Sequence, residues 1–188
     1  MTVHLVSNQK IAETSSKGNQ EKWLDSGIWY KLDQFGYEAL AEVFTSQLLE
    51  YSNMEAAFPF TFVRYRMERL QVHGRERTGC SSRNFLRDGE SIITLAHLFL
   101  QYTGKPLSEM LNRLTSDKKR MAYLAEETAN ITGLSLFPQY LTLLFEIDGL
   151  ALNDDRHLNN IAVLARDGAF DYCPIFDQGA GLLSNVMY

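Results

Sequence analysis

Residues 153–179 read NDDRHLNNIAVLARDGAFDYCPIFDQG. Two acids, a cation, an imidazole and three carboxamides occupy 153–160, and an apolar run follows with Ile161 and Val163. After "RDG", Tyr172, Ile175 and Phe176 resume the apolar pattern. Apolar runs on both sides of an Asp-Gly turn predict a β-hairpin over 160–176. That hairpin puts Asp155 and Asn160 at its entrance and Asp177 at its exit, so carboxylates from both ends can point into one cleft. One carboxylate with one amide oxygen suits Mg2+, which takes few protein ligands and leaves room for phosphate oxygens and water. The remaining carboxylate can orient or deprotonate a hydroxyl nucleophile, the division of labour that phosphoryl transfer needs.

The stretch before this loop reads as helices. "FPQYLTLLFEIDGLALN" (137–153) is apolar nearly all round and predicts a buried helix, with Pro138 tolerated in its first turn. "SDKKRMAYLAEETANITG" (116–133) offers Ser116 or Asp117 as N-cap and Gly133 just past the end. "DGESIITLAHLFLQYTGKP" (88–106) reads as a further helix stopped by Gly104 and Pro106.

The first half reads as strands. "EKWLDSGIWYKL" places apolar and aromatic residues on both sides of "DSG", a hairpin over 20–32. In "GYEALAEVFTSQLLEYS", Tyr37, Leu40, Ala41, Phe44, Leu48 and Leu49 recur at three and four residues, the apolar stripe of a helix. "FPFTFVRY" (58–65) reads as a strand, and 67–86 reads as a hairpin with a polar tip. The arginines of 64–77, with no lysine among them, read as a solvated hairpin, and alternatively as an oxyanion-binding patch. The composition shift near 87–91 predicts two parts: a β-rich 1–88 and a helical 89–188. The expected fold class is α+β: a small antiparallel sheet with one helix, joined to a mainly helical part.

Composition bounds the rest. The chain has 188 residues, 45% apolar and 22% charged, ordinary for a globular protein with a sizeable core. A net charge of −5 argues against a sequence-independent grip on nucleic acid, which needs clustered cations. Cys80 and Cys173 form no CxxC pair and have no histidine at zinc-finger spacing. No secretory leader and no run long enough for a membrane span is predicted, so the expected location is cytoplasmic.

Taken with what precedes it, the loop resembles a known family. "DRHLNNI" (155–161) is similar to the catalytic loop of HipA-like serine/threonine kinases and of phosphatidylinositol kinases, which use Asp-x-His-x-x-Asn. "FDQG" (176–179) is similar to the metal-binding Asp motif that follows in them. "SSKGNQEKWL" (15–24) resembles the phosphate-loop region of HipA-like kinases, and "IWYKLD" with "YEALAEVF" offers a strand lysine and a helix glutamate in the same order. The resemblance runs from about 15 to 179 and implies a protein-kinase-like two-lobe fold that uses ATP and Mg2+. It implies Asp155 as the catalytic base, Asn160 and Asp177 as metal ligands, and His157 as a structural brace. Lys31 would contact the α- and β-phosphates, held by Glu42 in preference to Glu38. Ser16, Gly18, Asn19 and Gln20 would cover the phosphates, and Ser15 or Ser16 would be open to autophosphorylation. Position 159 carries Asn where HipA-like loops often carry Lys, and the metal motif reads Asp-Gln-Gly rather than Asp-Phe-Gly.

Each residue has a plainer reading. Loop acids such as Asp154 commonly cap turns, a strand lysine commonly faces solvent, and Glu42 could be a helix-surface charge. Three functions remain in play. One is a kinase phosphorylating Ser or Thr of an unidentified protein, with a regulatory partner among its expected contacts, or alternatively a lipid or small alcohol. Another is a nucleotide-binding pseudokinase or interaction module. The third is a phosphodiesterase using Asp154, Asp155 and Asp177, which would need two metals about 3.5–4 Å apart and more ligands than the sequence offers.

Overall fold

A computed structural model describes residues 3–5, 20–34 and 36–184. The chain divides into two compact units: the described residues within Met1–Phe85, Asp148–Asp155 and Phe176–Tyr188, and those of Leu86–Ile147 with Arg156–Ile175. Their chain limits differ from a single cut at 88. The end of the long helix, the start of the polar loop and the residues after the second hairpin all belong to the first unit.

The first unit is built on a five-stranded sheet of order β1-β4-β5-β3-β2. Its strands are β1 (Val3–Leu5), β2 (Lys22–Asp25), β3 (Ile28–Leu32), β4 (Tyr65–Val72) and β5 (Arg75–Arg83). Only the β1–β4 pair is parallel. Both hairpins turn on two residues with positive φ, Ser26–Gly27 and His73–Gly74. This turn matches the right-handed twist of the strands it joins.

Because side chains alternate along a strand, the two faces carry different cores. Trp23, Tyr30, Leu32, Leu70 and Val72 pack on one face, with Trp23 and Tyr30 stacked at 5.6 Å. Val63, Tyr65 and Cys80 on the other face meet Ala39 and Val43 of helix α1 (Glu38–Glu50). Each large side chain so buried contributes roughly 1.5–3 kcal/mol.

Helix α1 buries Ala41 and Leu49 of the stripe its hydrophobic spacing predicts, but not the stripe's other large residues. Leu40, Phe44 and Leu48 are exposed, while Ala39, Ala41, Glu42, Val43, Thr45, Ser46 and Leu49 are buried. Small residues let the helix approach the sheet closely. The Ser46 hydroxyl accepts the Tyr65 N–H at 3.2 Å, and Asp33 Oδ1 accepts the Ala39 N–H at 2.6 Å, satisfying a donor of the first turn. Glu38 accepts the N–H groups of Gln34 and Gly36, both at 3.1 Å, so its carboxylate closes the loop before the helix.

One further expectation needs correction, and another holds. Residues 58–64 form no strand: a short helix α2 (Met54–Ala57) leads into an extended connection whose Phe60, Phe62 and Val63 are buried. Pro59 lacks the N–H a ladder would use, and pairing in this segment is limited to an isolated bridge at Phe62. The arginine-bearing hairpin is a paired, solvated one. Arg69 meets Glu76 at 2.8 Å, Arg64 meets Glu55 at 2.6 Å, and Arg77 donates to the Asp33 carbonyl at 2.5 Å.

The second unit holds the sheet β6-β7-β8: Ser91–Thr94, Ala162–Arg166 and Ala169–Tyr172, all antiparallel. Its helices are α3 (Leu95–Thr103), α4 (Leu107–Asn112), α5 (Asp117–Thr132) and most of α6 (Phe137–Ala151). The expected helix over 88–106 is thus a strand followed by a helix. Pairing with β7 makes Ser91–Thr94 a strand, and the Thr94 side chain caps α3 by accepting the His97 N–H at 3.4 Å. Ser116 caps α5 and Gly133 ends it with φ 75°. Among the described residues no helix is long and apolar enough to cross a membrane.

Candidate functional site

Lys31 sits near the end of β3 on the face that meets α1. Its register partner on β5 is Cys80, and its ammonium lies 5.3 Å from the centre of the Tyr65 ring. Lys31 Nζ donates to Glu42 Oε1 at 2.5 Å and to Asp177 Oδ1 at 2.9 Å. Glu42 is fully buried, whereas the Asp177 side chain keeps about a third of its surface, 32%. Glu38, spent on the loop before α1, is not the carboxylate that meets the lysine.

Burial opposes the Lys31 charge, but Asp177 and Glu42 outweigh it and hold the ammonium well above its ordinary pKa. Burial raises the Glu42 carboxyl, and the Lys31 attraction offsets only part of that. Burial also pushes the Tyr65 hydroxyl and the Cys80 thiol well up, so Cys80 is a packing residue and no nucleophile.

Asp177 lies at φ 65°, left-handed backbone that a non-glycine residue rarely adopts. Such a conformation costs on the order of 1–3 kcal/mol and persists where surrounding contacts fix it. Here they do. Lys31 holds the carboxylate, the Asn153 amide reaches the Asp177 carbonyl at 3.3 Å, and Glu42 Oε2 accepts the next N–H, that of Gln178, at 2.9 Å.

Asn153 joins this cluster to the loop that leads to Asp155. Its Nδ2 reaches Asp148 Oδ1 and Gln178 Oε1, both at 3.0 Å, while its Oδ1 accepts the Asp155 N–H at 3.3 Å. The Asp155 side chain itself is exposed. Asn160 and His157 belong to the second unit. There Arg156 donates to the Asn160 carbonyl at 2.9 Å, and the exposed His157 accepts the Asn159 N–H through Nδ1 at 3.2 Å. The Gln20 amide donates to the Leu32 carbonyl at 2.8 Å, a strand-edge contact. Ser15, Ser16, Gly18 and Asn19 lie outside the described residues.

Four residues of this site escaped the sequence reading. Lys22 is the register partner of Lys31 across the β2–β3 turn. Its pKa is lowered by burial first and by Lys31 second. A two-residue turn at Ser26–Gly27 fixes that pairing, so the signal was in the sequence. Asn153, Asp148 and Gln178 gave no such signal, because amide and acid side chains beside a loop look the same whether they face water or each other.

The chain has a mixed α+β fold of protein-kinase-like type. Among solved structures it is similar to the Helicobacter pylori proinflammatory kinase CtkA, with a TM-score of 0.61 and 15% identity over 89% of this chain. The chain spans 55% of that protein's chain. At that identity the likeness establishes the fold. No family model matches the sequence, and no curated protein matches it.

Proposed function

We propose that this chain carries the nucleotide site and phosphotransfer machinery of an ATP- and Mg2+-dependent kinase of HipA-like type, acting on a Ser or Thr hydroxyl of a protein. One observation carries the proposal: a buried strand lysine held at 2.5 and 2.9 Å between a helix glutamate and the Asp of an Asp-Gln-Gly turn. Structural ion pairs are common, but Lys31 and the fully buried Glu42, drawn from β3 and α1, are costly to bury for stability alone.

The donor chemistry fits the cofactor. Lys31 holds both carboxylates, with Lys22 beside it across the hairpin. The partly exposed carboxylate, Asp177, offers the hard oxygen that Mg2+ takes alongside phosphate. Among the described residues no three His, Cys, Asp or Glu side chains cluster as a metal site. Mg2+ in phosphotransferases uses one or two carboxylates with substrate oxygens, so the reading needs no such cluster, and Asp177 supplies a carboxylate. Bound Mg2+–ATP supplies the phosphoryl group and neutralises its charge. Lys31 orients the α- and β-phosphates, Glu42 keeps Lys31 extended toward them, and a carboxylate oxygen of Asp155 takes the proton of the acceptor hydroxyl.

Asp155→Asn is expected to keep nucleotide affinity and to lower phosphoryl transfer by at least about a hundredfold, the smaller end of what a general base contributes. Transfer from labelled ATP to protein acceptors measures this, and mass spectrometry of the wild type reads Ser15 and Ser16. Nucleotide binding without turnover in the wild type would replace the proposal with a pseudokinase. Transfer only to a lipid or small alcohol would overturn the protein acceptor.

A further inference from the structure

We infer that Asn153 and Gln178 form a polar clasp that makes the orientation of the Asp155 loop and the Lys31–Glu42 pair one cooperative unit, which makes both of them positioning residues. The chemistry of this inference rests on the phosphotransfer reading, and its geometry rests on hydrogen bonds within the first unit.

The hydrogen bonds form an unbroken path. Lys31 Nζ donates to Glu42 Oε1, and Glu42 Oε2 accepts the Gln178 N–H at 2.9 Å. The Gln178 side chain accepts from Asn153 Nδ2 at 3.0 Å, and Asn153 Oδ1 accepts the Asp155 N–H at 3.3 Å. Strand β3, helix α1, the Asp177 turn and the start of the polar loop are therefore joined residue to residue.

The amide orientations are fixed by chemistry. The Asp148 carboxylate and the Asp177 carbonyl can only accept, so Asn153 must turn its nitrogen toward them. That nitrogen carries two hydrogens, which Asp148 and the Gln178 oxygen take at 3.0 Å while the Asp177 carbonyl shares one of them at 3.3 Å. Asn153 Oδ1 is left pointing at the Asp155 N–H, and a second tie, from the Asn153 N–H to the Asp148 carbonyl at 2.8 Å, anchors the residue to the end of α6. Gln178 is 4% exposed and its Nε2 has no partner among the described residues. A buried amide with an unmet donor is a poor choice for stability, where an apolar side chain of similar size would serve. Gln178 is therefore explained by the bond its oxygen makes. Low dielectric strengthens such a buried chain and makes loss of one member felt by the others.

Hydrogen–deuterium exchange on the full chain without nucleotide tests the clasp independently of catalysis. Asn153→Ala should raise exchange at the Gln178 amide, which Asn153 does not itself hold. Gln178→Leu should raise exchange at the Asp155 amide, which Gln178 does not touch. Each rise should reach about tenfold, and the double variant should fall short of the product of the two by at least about threefold. Effects confined to each residue's direct partners would overturn the clasp. If Asn153→Ala loses its fold, Gln178→Leu carries the test alone. The positioning role is read from kinetics: Asn153→Ala should lower kcat about tenfold or more while calorimetric ATP affinity stays within about threefold. An unchanged kcat beside coupled exchange would overturn that role. Absence of transfer in the wild type would defeat the kinase reading and, with it, the positioning role, while the exchange result would still decide the clasp.

Discussion

Lys31→Met should destabilise the folded chain by about 3 kcal/mol at neutral pH, with the loss shrinking as the solution is acidified. Removing the ammonium leaves Glu42 fully buried without its counter-ion. Breaking a buried pair from one side typically costs about 3–5 kcal/mol. Glu42 can limit that cost by taking up a proton. From the ordinary value of 4.5, neutralising it at pH 7 costs about 3.4 kcal/mol, at 1.36 kcal/mol per pH unit. The sign follows from linkage. The Glu42 carboxyl is already raised in the folded wild type, and without Lys31 it rises further. The folded variant then binds more protons than the unfolded one above pH 4.5, so its stability falls as pH rises through that window. Urea unfolding of variant and wild type at pH 4.5 and pH 7.5 measures the difference. A deficit independent of pH would mean that Glu42 is not the group left unpaired.

Gly79→Ala should destabilise by about 3 kcal/mol or more, at the upper end for overpacking. A Cβ at Gly79 would lie 2.3 Å from the Lys31 carbonyl oxygen and 2.7 Å from Leu70 Cδ1. Leu70 could rotate, but the Lys31 oxygen is backbone in a strand hydrogen-bonded on both sides. Relief therefore requires β3 to shift, and with it the lysine between its two carboxylates. Gly179→Ala is the control, since its Cβ would meet Glu38 and Glu42 atoms no closer than 3.6 Å. Urea unfolding should separate the two variants clearly, and equal, small effects would contradict the packing described for β3 and β5.

Parts of this architecture were legible before any coordinates. The two hairpins around Ser26–Gly27 and Asp167–Gly168 form where Gly follows a polar residue between apolar runs, because only such pairs accept two positive φ values cheaply. Helix α5 follows from its capping residues, and α6 from its apolar run with Pro138 in the first turn. The face of α1 was not legible. Its large apolar residues suggested one buried stripe, yet the close seat on the sheet is taken by Ala39, Val43 and Ser46. That choice brings Glu42 to Lys31 and leaves Leu40, Phe44 and Leu48 in solvent. Spacing alone cannot rank two faces that are both partly apolar. Strand β6 was missed because Ile92 and Ile93 fit the start of a helix as well as a strand, and only pairing with β7 decides. The polar cluster around Asn153 depends on contacts across the chain, from 148 to 178, which no local pattern encodes.

In the proposed function, Lys31, Glu42 and Asp177 form a nucleotide site whose metal ligand is Asp177. Calorimetric titration of ATP into the chain, with and without Mg2+ and repeated on Asp177→Ala, tests it most directly. Mg2+-dependent binding is expected in the wild type and its loss in the variant. Binding that is indifferent to Mg2+ and to Asp177, or no binding to chain shown to be folded, would contradict it.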